Sequence, residues 1–342
     1  MKKIIFPLVL VALILSSCRN SGLLLPNATG AAYEVLVVID QKDWRSEGGK
    51  ALYDLLAADI PCVPQAEPMF SISRVSNNQF DNLLRPTRNI VIVEIDSTQY
   101  TKATIKFVKN RWANSQALVL MTANTSSNLA TLLNSKGVEI TNYFLAAERA
   151  RQIDYFKSNI NNTALNKVYT KFGAQIAIPT SLNKYKESED FLWLSNGSAI
   201  ARQDIIIYSY PYTNKEQLTK ETLLAKQDAI LKAKIPGSDK FKESHMGTAY
   251  TYEPPIFNEI WLNDSYCAEI HGLWEMKNGE IMGGPFVSHT RLDELNNRLI
   301  TIEGFVFAPG RDKRNLIRQV EAMIYSFKMP QEVNEVIITP QK

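Results

Sequence analysis

The stretch YEVLVVID at residues 33–40 decides the first half of the fold. Its run of apolar and β-branched residues predicts a buried strand. Residues 89–96, NIVIVEID, predict a second strand of this kind, and residues 116–121 a further one. Between and after these strands the pattern predicts helices at residues 50–58, 77–84, 101–113, 124–134 and 141–158. This alternation favours an α/β domain over residues 32–160.

The second half has a different order of elements. Residues 158–167 are polar and rich in asparagine, which is typical of a domain boundary. Beyond them the pattern predicts helices at 215–234 and 313–327, and strands at 175–178, 190–194, 204–210, 256–262, 266–276, 284–291 and 298–307. Strands followed by a helix, twice over, favour an α+β domain with an antiparallel sheet over residues 165–330. Two similar strand–turn–helix units suggest that both helices pack on one side of this sheet. Residues 331–342 are interpreted as a C-terminal tail.

The N-terminus has the pattern of a secretory signal. Lys2 and Lys3 precede an apolar stretch at residues 4–15, which is shorter than the roughly 20 residues that a membrane-spanning helix needs. Leu15-Ser16-Ser17-Cys18 then resembles the lipobox of bacterial lipoproteins. This resemblance implies that the Cys18 thiol carries diacylglycerol and becomes the first residue after cleavage. We therefore expect a signal peptide at residues 1–17 and a lipidated tether at 18–31; an ordinary secretory signal or an uncleaved anchor is the alternative.

The residue after Cys18 bears on the location. In lipoproteins an aspartate at this position favours retention in the inner membrane, whereas this chain has Arg19. The resemblance therefore implies a location in the cell envelope, anchored by the lipid to the outer membrane and facing the periplasm. Two acyl chains suffice for stable anchoring. The membrane is then the first expected partner.

Charge and cysteine content narrow the class of protein. The formal net charge of +3 falls to +1 once Lys2 and Lys3 are removed, and the basic residues are scattered among acidic ones. Nucleic acid is therefore not an expected partner. Besides Cys18 the chain has Cys62 and Cys267, which we interpret as two separate buried thiols in preference to a disulfide.

Several longer motifs in the second half carry a resemblance. They are YSYPY at residues 208–212, HGLWE at 271–275, MGGPFVS at 282–288 and EGFVFAP at 303–309. Together with the lipobox they resemble an uncharacterised family of Gram-negative envelope lipoproteins, classed as a domain of unknown function. This resemblance implies a lipoprotein but no activity. The layout of the second half is also similar to the PsbP-like α+β sandwich, a fold used for binding and assembly.

Polar residues of three predicted strands are candidates for chemistry. Strand periodicity places Glu269 and His271 on one face of the strand at 266–276. If the next two strands are its neighbours, His289, Arg291 and Glu303 converge with them. Glu269, His271, His289 and Glu303 are therefore candidate catalytic residues for metal-dependent or acid–base chemistry. A polar binding face or a solvated sheet face explains the same residues, and we predict no metal site and no cofactor.

Candidate binding residues are Arg291, Trp274 and Tyr210, because aromatic side chains in the second half are suited to a groove for a peptide, glycan or lipid. Core packing is the alternative for the aromatic residues. The sequence favours a binding or assembly protein without catalytic activity, whose partner is an envelope protein, a peptide or a glycan. An envelope hydrolase or metal-dependent enzyme is the second hypothesis, and a purely structural lipoprotein is the third.

Overall fold

The computed structural model describes residues 25–333. The predicted signal peptide and the lipidation site Cys18 lie outside the described residues, as do residues 334–342 of the predicted tail. Within residues 25–333 the chain forms two sheets, each with its own helices. The first half is mixed α/β and the second is an antiparallel sheet with helices, so the predicted fold class is confirmed.

The first sheet has five strands in the order β2-β1-β3-β5-β4. They are β1 Glu34–Val38, β2 Ser71–Val75, β3 Asn89–Ile95, β4 Thr104–Lys109 and β5 Ala117–Ala123. All are parallel except the edge strand β4, which is antiparallel to β5. The strand β1 lies between β2 and β3 and is buried on both faces, which explains why residues 33–40 are apolar without alternation.

The helices of the first half are α1 Gln41–Trp44, α2 Glu47–Leu56 and α3 Ser126–Ser158. Leu52 and Leu56 of α2 and Phe144 of α3 pack on the same face of the sheet. Gly48 allows the two helices to approach closely, because a Cβ atom there would lie 2.8 Å from the carbonyl oxygen of Ser126. The other face of the sheet is covered by irregular segments that carry Phe80, Leu84 and Trp112.

Three element predictions in the first half are wrong. The predicted helix at 77–84 is only a 3₁₀ turn at Asn77–Gln79. The predicted helix at 101–113 is instead the strand β4, whose lysines lie on an exposed sheet edge, where charge discourages pairing with other chains. The predicted helices at 124–134 and 141–158 form one continuous helix, α3. Gly137 lies in its interior because a larger residue would clash with Leu55 of α2, so this glycine marks helix packing and not a helix end.

The second sheet has eight antiparallel strands. They run in the order β10-β11-β12-β13-β8-β7-β6, and β9 pairs with β11. The strands are β6 Lys184–Ser188, β7 Phe191–Ser195, β8 Arg202–Pro211, β9 His245–Thr248, β10 Ile256–Leu262, β11 Ser265–Lys277, β12 Gly283–Asp293 and β13 Arg298–Phe307. The predicted strand at 175–178 is not part of this sheet; Gln175 pairs with Lys328 in an isolated bridge.

The helices of the second half are α4 Asn162–Phe172, α5 Lys220–Lys234 and α6 Arg314–Tyr325. Short 3₁₀ turns lie at Asn77–Gln79, Lys215–Leu218 and Pro330–Glu332. The prediction that the two long helices share one side of the sheet is wrong, because α5 covers one face and α6 the other. The physical reason is that β8 is apolar on both faces: Ile205 points towards α6, and Ile206 points towards α5.

The two halves are joined by direct contacts. Helix α3 ends at Ser158 and α4 begins at Asn162, so the asparagine-rich segment is mostly helical. Ile60 and Phe156 of the first half lie in the core of the second half. The buried Glu67 accepts hydrogen bonds at 2.7 Å from the backbone N–H groups of Lys313 and Arg314, at the start of α6. A carboxylate at a helix N-terminus satisfies orphan donors and complements the helix dipole.

The first and last of the described residues also contact the two halves. Ala28, in the predicted tether, donates a backbone hydrogen bond of 3.1 Å to the carbonyl of Asn114. Glu332, in the predicted tail, pairs with Arg291. Cys62 and Cys267 are both buried and free, which confirms the prediction of separate thiols. Among the helices of residues 25–333, none is both long and apolar enough to cross a membrane.

Candidate functional site

Strand β11 separates polar and apolar side chains onto opposite faces of the second sheet. Ile270 and Trp274 point into the core beneath α5, whereas Glu269 and His271 point to the side of α6. The register pairs Glu269 with His289 of β12, so these two side chains share a face. Three of the four candidate catalytic residues therefore come together.

Glu269 is the centre of this cluster, where it accepts three hydrogen bonds and makes a further close contact with His271. Its Oε1 atom lies 3.2 Å from His271 Nε2 and accepts from Asn258 Nδ2, also at 3.2 Å. Its Oε2 atom lies 3.0 Å from His289 Nε2 and accepts from Tyr325 Oη at 2.8 Å. A carboxylate offers about four lone-pair positions. All of them are occupied here, so the carboxylate is fully satisfied by the protein.

The protonation states follow from burial and these contacts. Burial raises the pKa of Glu269, but hydrogen bonds from His271 and His289 outweigh it, and the pKa lies well below its usual range. For His289 burial dominates and lowers the pKa, although Glu269 opposes it. Glu269 is therefore a buried anion, and His289 is neutral and donates its Nε2 proton to it.

Tyr325 connects this cluster to the first half of the chain. Its ring packs edge-on against the His289 ring, with centroids 4.7 Å apart. The guanidinium carbon of Arg149, on α3, lies 3.5 Å from the centroid of the Tyr325 ring. This is a cation–π contact at close range. Tyr325 is thus held by Glu269 at its hydroxyl and by Arg149 at its ring.

A second carboxylate, Glu321, links two arginines from opposite sides. Its Oε1 atom lies 3.3 Å from Arg149 Nη2, and its Oε2 atom lies 2.7 Å from Arg318 Nη1. Burial raises the pKa of Glu321, but the charges of Arg318 and Arg149 outweigh it and lower the pKa. Two arginines therefore balance two ionised carboxylates, Glu269 and Glu321.

These residues line a cleft of about 290 Å³ between the two halves. Helix α3 contributes Asn142, Leu145 and Arg149, which share a face at helical spacing. The opposite wall comes from the second sheet and α6, and the rest from residues 60–62. The apolar part of the lining consists of Ile60, Pro61, Leu145, Ile256, Phe286, Val287 and Ile317.

The Cys62 thiol also borders the cleft. Burial, and then the charge of Glu253, raise its pKa to about 12. The backbone N–H of Cys62 donates to Glu253 Oε2 at 3.0 Å, which fixes the acidic neighbour. The thiol stays protonated near neutral pH, and a protonated thiol is a weak nucleophile. Burial likewise raises the pKa of Cys267.

Glu303 does not join the cluster, and this prediction is wrong. In the register of β12 and β13, His289 lies opposite Ile302, so the next residue, Glu303, faces the other side of the sheet. There Glu303 is fully buried, and neither of its oxygens accepts a hydrogen bond from any described residue. Burial, and then the charge of Asp228, raise its pKa to about 8.

The three predicted binding residues do not form one site. Arg291 is engaged by the protein: its Nη1 donates to Glu332 Oε2 at 3.0 Å and its Nη2 to the carbonyl of Leu262 at 3.1 Å. Trp274 and Tyr210 lie on the opposite face of the sheet, in the core covered by α5. Trp274 borders a separate pocket there.

The cluster is not arranged as a metal site. Among residues 25–333, no group of three or more His, Cys, Asp or Glu side chains is positioned to hold a metal ion. His271 and His289 both direct Nε2 at Glu269, whose acceptor positions are occupied. The observed arrangement fits a hydrogen-bonded polar wall.

Sequence reasoning did not identify Tyr325, Arg149, Asn258, Glu321 and Arg318. A signal exists for the three residues on α6, because positions 318, 321 and 325 recur at helical spacing beside its apolar stripe. Arg149 shows no local signal, since its role depends on how the halves pack together.

The described residues form two joined halves, one α/β and one an antiparallel sheet with helices. Residues 28–157 match the family described as Domain of unknown function (DUF8532), and residues 161–326 match Domain of unknown function (DUF4837). Both halves thus resemble families without an assigned function, which supports the prediction of an uncharacterised domain of unknown function. A comparison with curated proteins finds no match for the chain.

Proposed function

We propose that this chain is a lipid-anchored protein of the cell envelope that faces the periplasm and binds a ligand in the cleft between its two domains, without catalysing a reaction. The N-terminal sequence supports the anchor: two lysines, a short apolar stretch, Leu15-Ser16-Ser17-Cys18 and then Arg19. The cleft supports the binding role.

The observation that carries this proposal is the preorganised polar wall of the cleft. Glu269 is held by three hydrogen bonds and the contact with His271, and Tyr325 is fixed both by Glu269 and by the Arg149 guanidinium. Side chains that are already fixed lose little conformational freedom when a ligand arrives. Such rigidity at the boundary between two domains is typical of a binding site.

The chemistry of the lining favours binding over catalysis. The Cys62 thiol stays protonated, and burial also raises the pKa of the Tyr325 hydroxyl. Both oxygens of Glu269 are already engaged by two polar side chains each, which disfavours its use as a proton acceptor or metal ligand. Among the described lining residues, none combines the nucleophile and the free base that covalent catalysis needs.

The lining also indicates the class of ligand. Asn142, Asn258 and Arg149 present hydrogen-bond donors, and His271 is partly exposed beside them. The charges of the arginines and carboxylates balance, so a ligand with little net charge and many acceptors fits best. We therefore propose a short segment of peptide or glycan, with its apolar part against Ile317 and its neighbours.

A cleft-filling variant tests the binding proposal. The probe is a mixture of soluble cell-wall fragments, which contain both sugar and short peptide. Immobilised wild-type protein should retain fragments that mass spectrometry then identifies. Asn142→Trp should reduce retention at least tenfold because the indole occupies the cleft, whereas Asn134→Trp, on the same helix outside it, should retain them fully. Equal retention by Asn142→Trp would exclude the cleft, and no retention by wild type would exclude this ligand class.

Substitution of Cys18 tests the anchor. Cys18→Ser should move the protein from the membrane fraction to the soluble fraction, because two acyl chains contribute about 0.8 kcal/mol per buried CH₂ and the thiol that carries them is gone. The circular dichroism spectrum of the released protein should match that of detergent-extracted wild type. Retention of Cys18→Ser in washed membranes would refute the lipoprotein proposal.

One observation favours a second candidate, an envelope hydrolase or metal-dependent enzyme. The His271 ring lines the cleft and is positioned by a buried carboxylate, which is how a general base is held in many active sites. Stoichiometric zinc in purified wild-type protein, lost in a His271→Gln variant that remains folded, would favour this candidate.

A further inference from the structure

A second pocket, of about 210 Å³, lies on the other face of the second sheet, beneath α5. It is separated from the cleft by the sheet itself. Four aromatic side chains line it: Trp193, Trp274, Phe305 and Phe307. The Trp274 ring lies edge-on to Phe305 at 5.7 Å and tilted towards Phe307 at 6.3 Å. These contacts give the pocket a rigid apolar wall.

Methionines complete the apolar lining. Met246, Met276 and Met282 border the pocket, and the unbranched side chain of methionine adapts to occupants of different shape. At the rim, Ile281 between Glu280 and Met282 is fully exposed. An apolar chain that enters here finds apolar surface from the rim inwards.

Arg202 lies at one end of the pocket, and Asp204 holds its guanidinium group in place. The buried Asp204 accepts hydrogen bonds at Oδ1 from Trp193 Nε1 at 2.8 Å and from Arg202 Nε at 3.1 Å. Its Oδ2 lies 2.9 Å from the same Arg202 Nε. Asp204 therefore binds only the inner nitrogen of the guanidinium. Among the described hydrogen bonds and ion pairs, none uses Nη1 or Nη2 of Arg202, and this pair of nitrogens matches the geometry of a carboxylate.

The charged side chains near Arg202 determine whether the headgroup of a ligand is anionic or cationic. The Trp193 ring is already approached by two cations, Arg202 at 5.4 Å and Lys186 at 5.8 Å from its centroid. The lining holds two carboxylates: Asp204, which pairs with Arg202, and Glu280, which accepts a hydrogen bond from the Ser238 hydroxyl. An anionic headgroup can pair with Nη1 and Nη2 of Arg202, whereas a cationic headgroup would meet two like charges at this end.

We propose that this pocket binds an alkyl chain with a carboxylate headgroup, the class of free fatty acids. The carboxylate pairs with Nη1 and Nη2 of Arg202, and the chain lies between Trp274 and the methionines. Because a water molecule occupies about 30 Å³ in the liquid, the pocket holds roughly seven groups of that size, or a chain of about six to eight carbons. The rest of a longer chain leaves past Ile281.

Calorimetric titration with three eight-carbon compounds tests this proposal. Octanoate should bind, octan-1-ol should bind at least tenfold more weakly, and octylammonium should not bind at the same concentrations. Arg202→Gln should weaken octanoate binding at least tenfold and octanol binding far less, because the loss of the Asp204 ion pair affects both ligands and the loss of the headgroup contact affects octanoate alone. Equal binding of octanoate and octylammonium, or no effect of Arg202→Gln, would overturn the proposal.

Further variants keep the test specific. Met282→Trp should abolish binding of octanoate and octanol alike, because the indole fills the pocket. Arg311→Gln, at an exposed arginine outside the pocket, should bind octanoate as wild type does. Asn142→Trp fills the cleft and should also leave octanoate binding intact. The proposal for the pocket is therefore tested independently of the proposal for the cleft. Absence of octanoate binding by folded wild-type protein refutes the pocket proposal alone.

Discussion

Glu148→Gln should lower the free energy of unfolding by about 3–5 kcal/mol, the usual loss when one partner of a buried ion pair is removed. Glu148 lies on α3 with 2% of its surface exposed. Its Oε2 is 2.9 Å from Arg88 Nη2, and its Oε1 is 2.8 Å from Arg151 Nη2. Asn89 Nδ2 also donates to Oε1 at 2.6 Å. Glutamine keeps the shape but leaves two arginines without their counter-charge.

Among the described ion pairs, neither Arg88 nor Arg151 has a second carboxylate partner. The Nε atoms of Arg88 and Arg151 are already buried without a hydrogen-bond partner among the described residues. Urea denaturation followed by circular dichroism measures the change. The matched control is Glu187→Gln, which removes an exposed partner 2.7 Å from Lys167 and should cost less than about 1 kcal/mol. A loss below about 1 kcal/mol for Glu148→Gln would show that the pair contributes no more than a surface ion pair.

Glu303 should make the protein less stable as pH rises. Its pKa is about 8 in the folded chain against an ordinary value of 4.5, because burial disfavours the charged form. Between these two values the unfolded chain has released the proton and the folded chain retains it. The free energy of unfolding should therefore fall by about 1.4 kcal/mol per pH unit over this interval and level off above it.

Glu303→Gln isolates this contribution. The neutral amide has the same size and does not ionise, so the stability difference between the variant and wild type should grow in favour of the variant from pH 5 to pH 8. Denaturation of both proteins at each pH gives the slope of this difference against pH. Any constant effect of the amide on stability does not change that slope. The exposed Glu139→Gln should show the wild-type slope. Identical slopes for wild type and Glu303→Gln would contradict a buried, protonated carboxyl.

Local patterns were sufficient for much of the fold. The apolar runs at β1 and β3 and the two-residue period of β11 each specify one element and its burial. The period of β11 also placed Glu269 and His271 on one face correctly. In contrast, the edge strand β4 was predicted as a helix, because six residues with a partly exposed pattern contain too little periodicity to distinguish the two.

The site depended on information that periodicity does not contain. Whether Glu303 faces His289 is decided by the register of two strands, and a shift of one residue reverses the answer. Arg149 approaches Tyr325 only because α3 crosses from the first half to α6 of the second. The reason for the Gly283-Gly284 pair also lies in contacts between distant residues. A Cβ atom at Gly283 would lie 2.7 Å from the carbonyl oxygen of Trp274, so the packing of the two strands requires glycine there.

The contact of Glu67 with the first turn of α6 has a mechanical consequence. The same helix carries Glu321 and Tyr325 into the cleft. A change in the width of the cleft therefore also changes the order of the first turn of α6. Separation of the domains would release two backbone N–H groups and fray that turn. A ligand that bridges α3 and α6 would hold the two halves together, and slower amide exchange at Lys313 and Arg314, one helical turn before Ile317 of the cleft, would report that the cleft is occupied.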